Sequence, residues 1–146
     1  MNGKSRLQES WLLCRAGSHL CALPLAHVLE VMRMLPVEPL ADAPGFMRGI
    51  AVIRGAPVAV LDLGRLLGQA RATPARIVTV STGERILGLA VAEVLGVRRN
   101  DEVGSHGAVP LLSEAAQEAV STIGSLDSEA LLFLQDLQVL ASRVPA

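Results

Sequence analysis

Apolar residues fall in short runs separated by glycine- or proline-bearing turns along nearly the whole chain. Trp11 to Ala16 and His19 to Leu23 flank Gly17-Ser18, the pattern of a β-hairpin whose two-residue turn sets Cys14 opposite Cys21. Pro24 cannot donate to a ladder and closes the second strand. From Leu25 the spacing changes. Leu25, Val28, Leu29 and Met32 share one helical face, which predicts a short helix there. Pro36, Pro39 and Pro44 make the next segment an extended connector. Gly49 to Ile53, Arg54-Gly55 and Ala56 to Leu61 predict a second hairpin. Asp62 then caps a short helix, Leu63 to Leu67, which Gly68 ends through its tolerance of left-handed geometry.

After a linker from Gln69 to Ala75 the pattern begins again. Ile77 to Val80 and Ile86 to Leu89 predict a third hairpin around Thr82-Gly83, and Val91 to Leu95 takes the place of the first short helix. A loop-rich stretch from Arg98 to Glu118 precedes a fourth hairpin, Ala119 to Ile123 and Ala130 to Leu134, turning at Leu126-Asp127-Ser128. A short helix from about Asp136 to Ser142 follows. Shifted by the distance from Gly17 to Gly83, Leu20 meets Ile86, Leu23 meets Leu89, Val28 meets Val94 and Val31 meets Val97. Each half therefore reads as hairpin, short helix, hairpin, short helix. A twofold repeat of this size indicates a duplicated β unit rather than a solenoid. Strands this short, in sets of about five, close into small barrels with few free edges. The expected fold is all-β with a few short helices: a duplicated pair of small five-stranded (SH3/OB-like) barrels packed together. Residues 1–10 form a tail and 11–142 a single domain, with halves at about 11–74 and 75–142.

Composition narrows the function. The chain has 146 residues, 51% hydrophobic and 2% aromatic, with a formal net charge of −1. That apolar fraction excludes a disordered chain. Near-zero charge and scarce aromatics argue against nucleic acid and against an anionic membrane surface. The polar start, Met1 to Ser10, shows no secretory signal, and no apolar run reaches the ~18 residues of a membrane span. A cytoplasmic protein without direct membrane insertion is expected.

Candidate chemistry is sparse. Cys14, His19, Cys21 and His27 cluster in sequence but lack the close Cys-x-x-Cys pair of structural zinc sites, so buried core cysteines are the plainer reading beside zinc or a cross-strand disulfide. His106 stands beside Ser105 in a glycine-flanked loop, yet no strained nucleophile turn accompanies it. Asp101-Glu102 and Arg98-Arg99 read as solvated charges. No phosphate loop is present. Neither an enzyme, a cofactor nor a metal site is implied.

Phe46-Met47-Arg48-Gly49-Ile50-Ala51-Val52-Ile53-Arg54-Gly55, followed by Val58 to Leu63, resembles the central motif of the CheW-like domain family. The segment Val28-Leu29-Glu30-Val31 is similar to the family's N-terminal part, and Val91 to Leu95 to its second copy. The resemblance runs in order from about Trp11 to Leu140. It implies paired five-stranded barrels acting as a non-catalytic signalling adaptor. The implied partners are the regulatory domain of a CheA-type histidine kinase and the signalling tip of a chemoreceptor, seated in a groove between the barrels. Carried over by position, the partner-binding residues are Val28, Gly49 and Arg54. Strand glycine permits close backbone approach, and a guanidinium at a turn pairs with carboxylates on the partner. Pro57 stands two residues before the position of Ala59 where the family commonly has proline, and Gly64 replaces a frequent basic residue. Two alternatives remain open: a divergent adaptor with one partner interface, and a small-barrel module for nucleic acid or a ligand.

Overall fold

The computed structural model describes residues 9–68, 73–105, 120 and 122–144. His106, and parts of the Gln69–Ala75 linker and of the strand expected from Ala119, lie outside them. β1 (Ser10–Ala16) and β2 (His19–Pro24) form the first hairpin, with Cys14 opposite Cys21. A single 3-10 turn, Leu25–His27, then leads into β3 (Val28–Arg33). The helix expected after Leu25 is thus one turn followed by a strand. A β-bulge accounts for the difference: Val28 opposes Val80 and Glu30 opposes Thr79, leaving Leu29 as the extra residue. The bulge puts two apolar residues in succession and imitates helical spacing.

β4 (Met47–Ile53) and β5 (Ala56–Asp62) form the second hairpin, followed by α1 (Leu63–Leu66). Asp62 caps α1 by accepting from the Arg65 amide at 3.1 Å, and Gly68 follows at φ 92°. The second copy runs β6 (Arg76–Ser81), β7 (Ile86–Val91), β8 (Glu93–Arg99), the two-residue β9 (Gly104–Ser105), β10 (Thr122–Leu126), β11 (Glu129–Phe133) and α2 (Leu137–Ser142). β8 replaces the short helix expected near Val91. It carries the same bulge at Leu95, between the pairs Leu13–Gly96 and Cys14–Val94. Asp136 caps α2 by accepting from the Gln138 amide, as Asp62 does for α1.

The strands assemble as β8-β1-β2-β11-β10-β9 in one sheet and β3-β6-β7-β5-β4 in the other. Replacing each strand by its repeat equivalent converts one order into the other, with β9 added at an edge. Each sheet combines the first hairpin of one copy with the later strands of the other. Parallel pairs, β2–β11 and β5–β7, join the two contributions. The sequence halves are therefore exchanged between the sheets, and the Gln69–Ala75 linker connects two strands of the same sheet.

The exchange accounts for the apolar excess. Alternate residues of β1 face two different cores: Leu12, Cys14 and Ala16 enter a core shared between the sheets, while Trp11 and Leu13 enter the interior of the first barrel. β5 does the same, with Ala59 and Leu61 in the shared core and Val58 and Val60 inside the second barrel. Central strands are apolar on both faces and cannot show polar alternation. Each fully buried leucine among them, such as Leu23, Leu61 or Leu89, contributes roughly 1.5–3 kcal/mol.

Candidate partner-binding site

Val28, Gly49 and Arg54 all belong to strands or turns of the five-stranded sheet. Val28 opens β3 and is half-buried against the shared core. Its equivalent on β8, Val94, packs in the same way. Gly49 adopts φ 140°, and a Cβ built on it would lie 2.0 Å from the Glu38 carbonyl oxygen. The backbone that approaches this glycine is the chain's own connector. The Glu38 amide donates to the Ile50 carbonyl at 2.8 Å and the Ile50 amide returns a bond at 2.9 Å. Those bonds cover the outer edge of β4, which would otherwise be open to pairing.

Arg54 and Gly55 have φ of 53° and 80°, the two positive values of a hairpin turn that matches strand twist. The turn brings the Arg54 guanidinium to β3, at the opposite end of the sheet order. Its Nε donates to Glu30 Oε1 at 2.9 Å and its Nη2 to Oε2 at 2.8 Å. This bidentate pair links the two ends of the sheet into a barrel. The hydrogen bond to Arg54 holds the Glu30 carboxyl below its ordinary range and the guanidinium above its own, so both remain charged. Arg54 stays 77% exposed and still presents cationic surface. Both the turn role and the binding role anticipated for it are compatible with this geometry.

Sequence reading missed the surface beside Val28. Leu29 and Val31 on β3 are 53% and 41% exposed, and their equivalents Leu95 and Val97 on β8 are 42% and 45% exposed. Val31 lies opposite Val78 and Val97 opposite Leu12, both shared-core residues, so each strip borders the seam between the sheets. The signal was available in the repeat, because the four residues are identical in pairs. Helical spacing takes Leu29 for one face of a short helix instead.

Other candidates resolve into structure. Buried Asp62 accepts from Arg48 Nη1 at 3.1 Å as well as from its helix, and it holds Arg48 near Arg65. Cys14 and Cys21 are free thiols in the shared core, where the second copy has Val80 and Leu87. A hydrogen bond with Cys14, together with burial, pushes the Cys21 thiol well above its ordinary range. Asp101 and Glu102 pair with Arg99 at 3.3 and 3.9 Å. A cleft of about 700 Å³ opens beside Trp11, Pro24, Leu25, His27 and Gln135. Among the described residues, no group of three or more His, Cys, Asp or Glu side chains could hold a metal ion. No helix among them is long and apolar enough to cross a membrane.

The CheW-like domain model matches residues 10–144. Protein FrzA of Myxococcus xanthus is 35% identical over 99 residues, which cover 66% of this chain and 62% of FrzA. The chain thus spans somewhat under two thirds of that relative. The crystal structure of the scaffolding protein TtCheW from Thermoanaerobacter tengcongensis superimposes with a TM-score of 0.73 at 20% identity. That likeness covers 87% of this chain and 88% of TtCheW, and it is a likeness of fold.

Proposed function

The chain belongs to the CheW-like domain family, non-catalytic scaffolds of chemotaxis-like signalling, and on that premise we propose that it couples a chemoreceptor-type helical tip to a CheA-type histidine kinase. The observation that carries this reading is the neighbourhood of Val28. The exposed pair Leu29 and Val31 runs along an edge strand whose residue Glu30 holds a bidentate but solvent-facing Arg54 from the strand's other face. An apolar strip bordered by an oriented guanidinium suits the apolar ridge of an amphipathic helix with a carboxylate beside it. Val28 supports the strip from below. Gly49 acts through the connector it admits, which keeps β4 covered. The kinase regulatory domain, itself of similar architecture, docks barrel to barrel, and the complex works in the cytoplasm.

A pull-down with a CheA-type regulatory domain and a receptor signalling tip tests the reading. Wild-type protein retains both, while Arg54→Ala and Val28→Glu lose the receptor tip and keep the kinase domain. Folded wild-type protein that captures neither partner would overturn the coupling role. Capture of the kinase domain alone would establish a one-interface adaptor.

A further inference from the structure

The two exposed strips end differently. On β3, Val31 is followed on the same face by Arg33, which stands directly opposite Arg76 of β6. Both side chains are exposed. Like charges directly opposite on neighbouring strands repel. Among the described residues no carboxylate lies within ion-pair distance of either one; Arg76 Nη1 donates instead to the Ala75 carbonyl at 3.0 Å. On β8 the equivalent residue after Val97 is Arg99. Its cross-strand partner is Ser10, and its charge is met by Asp101 and Glu102. The repeat thus contains its own control. The same strip with the same terminal arginine is neutralised in one copy and carries a doubled positive charge in the other.

We propose that Arg33 and Arg76 form a carboxylate clamp that reads an acidic residue of the helical segment seated on β3. The proposal rests on the reading of β3 as the receptor-side surface and adds the partner's chemistry and direction. Arg33 lies two strand residues, roughly 7 Å, beyond Val31. One helical turn advances about 5.4 Å, so the acidic residue stands about one turn beyond the apolar residue that covers Val31. Two arginines at directly opposed strand positions can both donate to one carboxylate, and the incoming anion removes their mutual repulsion. A helix laid in the opposite sense would leave the two arginines without that carboxylate. The clamp therefore sets orientation and encounter rate more than total affinity.

Calorimetric titration of the full chain with the receptor-tip fragment, at low and at physiological salt, tests this. Arg33→Gln and Arg76→Gln each weaken binding by about three- to tenfold at low salt and flatten its salt dependence. Val31→Asp weakens it more than tenfold at both salts, roughly the effect of placing a charge in an apolar contact. One acidic-to-Gln change in the tip adds nothing to the loss already caused by Arg33→Gln. Thermal unfolding of Arg76→Gln occurs no lower than that of wild type, because the change removes a like-charged neighbour. Loss of binding in Val31→Asp with both glutamine variants unchanged would overturn the clamp and leave the docking strip standing. No binding by wild type would overturn the docking reading, and the clamp with it. A lower melting temperature in the glutamine variants would identify the pair as a structural contact and also overturn the clamp.

Discussion

The two barrels share a strand plan and a common core but differ inside and at the rim. The first is filled by Trp11 and Phe133, whose rings meet edge to face at 4.7 Å, together with Leu13, Leu20, Ala22 and Leu131. Among the described residues the second holds aliphatic side chains, including Val58, Val60 and Ile77, with Met32, Met34 and Leu35 lining its margin. At the rim, the second barrel is clasped by Arg54 and Glu30. The corresponding turn of the first is Asp127-Ser128, and the residue equivalent to Glu30 is Gly96. An ion pair of that kind has no partners there; Arg15 and Glu129 pair elsewhere on the same sheet, at 2.6 and 2.8 Å. Duplication has kept what packs the sheets together and altered what each barrel offers to solvent. The Arg33–Arg76 pair beside an apolar strip belongs to the second barrel, whereas the equivalent arginine of the first, Arg99, is paired with Asp101 and Glu102.

Breaking the aromatic filling separates the barrels most strongly. Trp11→Ala lowers stability by about 3–5 kcal/mol in urea denaturation, because indole burial, the ring contact and a 2.9 Å bond to Asn100 are all lost. Met32→Ala in the other barrel costs about 1–2 kcal/mol, since that side chain is only partly buried. Equal losses would refute a difference in filling.

Glycines give the next contrast. Gly49→Ala forces a Cβ into the Glu38 carbonyl at a left-handed backbone and costs about 3 kcal/mol or more. Gly96 also has positive φ, at 122°, but open space around it, so Gly96→Ala costs only about 1 kcal/mol. The turns differ less. Asp127 and Ser128 hold φ of 50° and 69°, where Gly55 of the other hairpin sits at 80°. Ser128→Gly relieves that strain and raises stability by about 0.5–1 kcal/mol, read as a shift of the urea midpoint.

The smallest contrast is a matter of pH. Glu30 and Glu129 both titrate below their ordinary range because an arginine hydrogen-bonds each carboxylate. A depressed folded value means that the pair stabilises above the unfolded carboxyl's titration and loses that contribution as pH falls through the folded value. Glu30→Gln and Glu129→Gln therefore flatten the acid limb of a stability-against-pH curve. The effect is slight, because both pairs are at least partly open to solvent.

How far the sequence spoke depends on whether the signal was local. Hairpins at Gly17-Ser18 and Arg54-Gly55 declared themselves through turn residues and flanking apolar runs, and Asp62 and Asp136 through capping. β3 and β8 did not, because the bulges at Leu29 and Leu95 break the alternation on which strand recognition relies. The exchange of hairpins between copies is a long-range pairing with no local mark. The same limit hid the Arg54–Glu30 pair, which depends on the two ends of a sheet meeting. Gly49 was legible as a point of close approach, but only the fold reveals that Glu38 is what approaches. Arg33 facing Arg76 likewise needs the register of β3 on β6.

Backbone amide shift mapping of the labelled chain with a receptor-tip fragment tests the central claim most directly. The largest changes are predicted at Val28, Leu29, Val31 and the Arg54 turn, with the interior of the Trp11 barrel unmoved. Shifts confined to residues away from β3 and that turn, or none at saturating fragment, would contradict the assignment of this surface to the partner.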